Sequence, residues 1–135
     1  MTLDLTQIGK MLLIFIFFIF QSCSNKNINE DNIQGVYIGN FQNNIDTLKI
    51  TENNEYVRTI YSKDSTLIFK NLSEWEISEG ELILKDFLLN NNKIEKNKKY
   101  LNIDLITVYF PIESSLGKFR LIENYDQNLF YKKIK

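Results

Sequence analysis

From Gly35 to the end of the chain, apolar and polar residues alternate with a period of two, in short runs broken by Asn, Asp, Ser and Gly. That period is the signature of half-buried β-strands. It predicts strands near 35–41, 45–51, 55–61, 65–71, 73–78, 80–86, 100–110, 117–123 and 128–134. Leu48 and Ile50 alternate with Thr47, Lys49 and Thr51, Trp75 and Ile77 with Glu74 and Glu76, and Leu101, Ile103 and Leu105 with Asn102 and Asp104. The breaks carry turn chemistry. Asn53-Asn54 tolerates left-handed backbone, and Ser78-Glu79-Gly80 and Ser114-Ser115-Leu116-Gly117 each end in a residue that takes positive φ without steric cost. Pro111 should mark a strand end or an edge. No stretch has a helical period beyond a short turn around Asn90–Lys96, and no internal repeat is present.

The first quarter of the chain reads differently. Met11 to Phe20 is an unbroken apolar run, MLLIFIFFIF, preceded by Lys10. It is too short to cross about 30 Å of hydrocarbon, which takes ~20 helical residues, and it has the length and positive flank of a secretion signal. Cys23, the single cysteine, follows at once in Phe20-Gln21-Ser22-Cys23-Ser24. The polar stretch SNKNINEDN then has no periodicity and reads as a tether. The expected organisation is a signal over 1–22, Cys23 and a tether over 23–33, and one β-domain over 34–135.

Composition agrees with strands. The 135 residues include no Ala and no His, and 44% are hydrophobic. Helix-favouring Ala is replaced by β-branched and aromatic residues. The Ile, Asn and Lys surplus also suits an AT-rich genome. Net charge is −1, before and after removal of Asp4 and Lys10 with the signal, so there is no concentrated basic surface for nucleic acid. A lone cysteine excludes an internal disulfide.

Two resemblances emerge from these residues. The segment around Cys23 resembles the lipobox of bacterial lipoproteins, with Ser22 in the small position before the cleavage point and Gln21 and Phe20 departing from the usual small and aliphatic ones. That resemblance implies a diacylglycerol on the Cys23 thiol, cleavage before it, and further acylation, such as palmitate, of the new amino group. One acyl chain binds a membrane marginally, while two or three anchor firmly. Gly35-Val36-Tyr37, Thr47-Leu48-Lys49-Ile50, Asn54-Glu55-Tyr56, Trp75, Gly80 to Leu84 and Phe130-Tyr131-Lys132-Lys133 are similar to the lipocalin-like lipoproteins. This second likeness implies a small antiparallel up-and-down β-barrel of eight or nine strands and, loosely, an apolar-ligand site. Lipocalins themselves carry Trp where this chain has Tyr37 and end on a helix.

The chemistry on offer points away from catalysis. Without His the usual general base near neutral pH is missing, and an acylated Cys23 is no nucleophile. Glu74, Glu76, Glu79 and Glu81 alternate outwards as a solvated face, and Glu30-Asp31 lies in the tether, so neither a catalytic pair, a metal site nor a cofactor is expected. Lys93, Lys96, Lys98 and Lys99 form a basic cluster interrupted by Glu95, which reads as a solvated loop or a contact with anionic headgroups.

Candidate ligand-lining residues are Tyr37, Tyr56 and Trp75, with Tyr61, which equally well build the core. Arg58 depends on the face of its strand: inward with Tyr56 and Ile60, it needs an acidic partner or an anionic ligand, and outward it is an ordinary surface residue. The sequence therefore predicts a non-enzymatic module, lipid-anchored at the outer membrane of the cell envelope. It would bind a small apolar ligand, or, with a filled barrel, act as a protein-interaction module such as an inhibitor, an immunity factor or an accessory subunit.

Overall fold

The computed structural model describes residues 28–89, 94 and 104–135. Strands β1 (Gly35–Gly39), β2 (Asn44–Ile50), β3 (Glu55–Ser62), β4 (Leu67–Ser78), β5 (Glu81–Leu88), β6 (Leu105–Ser115), β7 (Lys118–Asn124) and β8 (Leu129–Lys133) follow a single helical turn, α1 (Glu30–Ile33). Each strand pairs antiparallel with the next. β8 returns to β1 through Tyr37↔Lys133, Ile38↔Lys132 and Gly39↔Tyr131, closing an eight-stranded up-and-down barrel. Closure gives every described strand two paired neighbours.

Alternation sets the faces. Along β2 the burial runs in a strict every-other pattern, with Asn44, Asp46, Leu48 and Ile50 inward. Tight turns join the hairpins where expected. Glu79 (φ 52°) and Gly80 (φ 82°) link the paired Ser78 and Glu81, and Leu116 (φ 50°) and Gly117 (φ 77°) link Ser115 and Lys118. Two consecutive left-handed residues are the turn whose twist matches that of the flanking strands.

Three differences from the sequence reading have physical causes. The two strands expected over 65–71 and 73–78 are one, β4, because its first part pairs with β3 as far as Glu74 and its last part, from Trp75, with β5. Such staggered changes of partner are how tilted strands close a barrel. Pro111 accordingly does not end β6; it stands where β6 leaves β5 and takes up β7 at Ile112. The third difference concerns residues 28–33, expected within the tether. Asn29 caps α1 by accepting from the Asn32 N–H at 2.9 Å, Ile33 is fully buried, and Ile28 packs against the core. Two isoleucines in an otherwise polar stretch are enough to bring it onto the barrel.

The ends of the barrel follow from this topology. One end carries α1, the C-terminus and the β2–β3, β4–β5 and β6–β7 turns, and Ile33 packs into it. At the other end Ile94 packs on Ile60 and Leu88, and the Asn44 side chain donates to its carbonyl at 3.5 Å. The expected signal over 1–22, Cys23, Lys93, Lys96, Lys98, Lys99 and the strand start at 100–103 lie outside the described residues.

Candidate functional site

The interior is where the sequence-predicted residues meet. β3 turns Tyr56, Arg58 and Ile60 inward, all without solvent exposure, while Tyr61 points out. Arg58 is therefore a core residue. Its partner is Asp46 of β2. The register pairs Leu48 with Arg58 and Asp46 with Ile60, so Asp46 and Arg58 are diagonal neighbours on the inner face.

The guanidinium is satisfied from several directions. Arg58 Nη2 donates to Asp46 Oδ2 at 2.7 Å, Nε reaches both carboxylate oxygens at 3.2 Å, and Nη1 donates to the Leu88 carbonyl. Tyr131 on β8 donates its hydroxyl to Asp46 Oδ2 at 2.8 Å. The guanidinium carbon lies 3.8 Å from the centre of the Phe87 ring. Burial opposes the Arg58 charge, but Tyr131, the Asp46 carboxylate with its hydrogen bonds, and Glu123 outweigh it and hold the group above its ordinary range. A buried charge persists only when paired and hydrogen-bonded in this way.

A bulge brings Phe87 to the cluster. Strict alternation from Leu82 and Leu84 would send Asp86 inward. The register shifts between Leu84 and Phe87, Asp86 takes φ 49°, and Phe87 turns in instead. Displaced outward, Asp86 takes up the polar residues of β4: Asn71 donates to its carbonyl at 2.6 Å and Ser73 to its carboxylate at 2.7 Å. Phe87, Phe110 and Tyr131 then pack in a triangle with ring centres 5.1 to 6.4 Å apart.

The other candidate lining residues use their polar tips on the main chain. Tyr37 donates to the Ile33 carbonyl at 2.6 Å, Tyr56 to the Lys85 carbonyl at 2.5 Å, and the Trp75 indole to the Thr51 carbonyl at 3.0 Å. Trp75 is 2% exposed and Tyr37 and Tyr56 not at all. The structure thus brings Tyr37, Tyr56, Arg58 and Trp75 into one packed interior, with Asp46, Phe87 and Tyr131, which the sequence reading did not single out. Asp46 was within its reach, because it shares the parity of Leu48 and Ile50. Phe87 was not, because the bulge reverses parity. On the outside, Glu74 and Glu76 are exposed, and Lys85 takes Glu74 at 2.7 Å. Cavities open on the outer surface, one of about 350 Å³ beside Glu113, Lys118, Arg120 and Lys132, and one of about 400 Å³ beside Glu55, Leu72 and Asp86.

Burial has a titration consequence. It pushes the phenols of Tyr37, Tyr56 and Tyr131 above the ordinary tyrosine range. In the unfolded chain these phenols ionise near pH 10, while in the barrel they hold their protons. The neutral form is favoured by folding, so its contribution is complete below that pH and is lost as pH rises past it. Unfolding curves should therefore show stability insensitive to these groups up to about pH 9 and falling above pH 10, by about 1.4 kcal/mol per pH unit for each tyrosine. Of the seven tyrosines, these three should give phenolate absorbance only as the barrel opens. Complete phenolate formation in a still-folded protein would contradict their burial.

Compared with known proteins, the chain matches no family model, no curated protein and no solved structure.

Proposed function

We propose that this protein is an envelope lipoprotein, held at the outer membrane by lipid on Cys23, whose barrel is a rigid interaction module that works through its outer surface. The filled interior carries this reading. A carrier barrel needs an open lumen, and here the axis is occupied by Arg58, Phe87, Phe110, Tyr131 and Trp75, with the polar tips of Tyr37, Tyr56 and Trp75 committed to main-chain carbonyls. Emptying such a site for an apolar guest would break a buried ion pair and several buried hydrogen bonds. The placement of Cys23 directly after the apolar run supports the anchor.

Two measurements test the two halves. Cells fed labelled fatty acid should label this protein, and Cys23→Ala should abolish the labelling; labelling that survives the substitution would sink the anchor. Native mass spectrometry of protein purified from its own host should find it with a protein partner or alone. A stoichiometric small apolar molecule retained in the barrel would instead establish the carrier reading.

A further inference from the structure

Leu116 is 97% exposed and holds φ 50° at the tip of the β6–β7 turn. Asn or Gly takes that conformation at lower cost, and solvent gives an apolar side chain there nothing to pack on. A leucine in this place is doubly disfavoured in an isolated domain. Beside it, the outer face of β6, β7 and β8 forms the groove of about 350 Å³. Glu113 pairs with Arg120 and Arg120 with Lys132, so two cations stand opposite each other across neighbouring strands. Like charges so placed repel. With Lys118, the groove holds three cations and one carboxylate, a net +2. Two residues beyond the Arg120↔Lys132 pair, just past the end of β8, Ile134 is half exposed near the level of Lys118. Leu116 and Ile134 thus lie at the rim together with Lys118, and Arg120 and Lys132 stand further in along their strands.

The chain leaves the barrel on the same side. Lys133 donates to the Asn32 carbonyl at 2.7 Å, and its ammonium lies 5.5 Å from the centre of the Phe119 ring, joining α1 to β7 and β8. From Ile28 back to Cys23 is five residues, a reach of at most about 18 Å. The acidic turns, with Glu52 and Glu55 and with Glu79 and Glu81, occupy the other half of the rim, as the strand order requires.

We propose that the groove of Lys118, Arg120 and Lys132, with Leu116 and Ile134 at its lip, docks the barrel onto the surface of an anionic phospholipid membrane. The apolar tips enter the interface and the cations take lipid phosphates. The lipid on Cys23, on whose assignment the geometry of approach rests, holds the domain within reach, and the groove sets its tilt, with the acidic half-rim turned away from the bilayer.

The test uses the full chain bound to vesicles of brominated anionic phospholipid, with indole quenching as the readout and fatty-acid labelling of Cys23 measured on the same preparation. Leu116→Trp should be quenched. The wild type, whose Trp75 is buried, and Tyr125→Trp, at the opposite end of the barrel, should not be. In the Leu116→Trp background, Lys118→Gln, Arg120→Gln and Lys132→Gln should each lower the docked-to-undocked ratio about five-fold, and neutral vesicles should abolish quenching. With Ile134→Trp as the reporter instead, Leu116→Asn should fold with unchanged or higher stability yet lower the quenching, a combination that a purely structural role for Leu116 would not give. Fatty-acid labelling with an unquenched Leu116→Trp indole overturns the groove and leaves the anchor. Quenching without labelling keeps the groove and removes the anchor, and absence of both removes both.

Discussion

Arg58→Met should destabilise the barrel by about 3–5 kcal/mol, because it leaves the Asp46 carboxylate buried with its counter-ion gone. Against the roughly 5–15 kcal/mol typical of a small domain, that is a large fraction of the total. Chemical denaturation of the two proteins measures it. Arg58→Lys should fall between, since it keeps a charge but loses the planar fork that reaches Asp46 and the Leu88 carbonyl together. Asp46→Leu combined with Arg58→Met should recover much of the loss, because an apolar pair leaves no buried charge; what it still costs is the Tyr131 hydroxyl's acceptor and the Arg58 donor to the Leu88 carbonyl. A cost below about 1 kcal/mol for Arg58→Met alone would show that the pair is solvated and the interior open.

Trp75→Ala should cost about 3–5 kcal/mol, the range for emptying a large aromatic site in a packed core. Trp75 is 2% exposed, its backbone N–H donates to the Asn54 carbonyl at 2.9 Å, and its indole donates to Thr51. It therefore joins the β2–β3 turn to β4 as well as filling space. Its native emission should be blue-shifted, move to the red on denaturation, and stay unchanged when fatty acids are added. Trp75→Phe should keep most of the packing and lose the indole donor, leaving the Thr51 carbonyl without it, at about 1–3 kcal/mol. Solvent-like emission from the native protein would reverse the assignment of faces in β4, and a fatty-acid response would reopen the carrier reading.

Much of this protein is legible without its structure, because period-two patterning and turn chemistry are local. The inward faces of Leu48 and Ile50 and of Trp75 and Ile77, the left-handed turns at Glu79-Gly80 and Leu116-Gly117, and the all-β class, a sandwich or a barrel, all follow from residues a few positions apart. Non-local pairing decided the rest. Whether Arg58 faces in or out was undetermined because Tyr56 and Ile60 compete with Val57, Thr59 and Tyr61 on near-equal terms; what decides it is Asp46 on one neighbouring strand and Tyr131 far along the chain, across the barrel. Strand count depended on where β4 changes partner, and the place of Phe87 on a single bulge that reverses parity. The filling of the lumen is likewise tertiary. An alternating aromatic strand reads the same whether its inner face lines a cavity or meets the opposite wall, and only closure of β8 onto β1, which sets Tyr131 and Phe110 against Phe87 and Arg58, makes it solid.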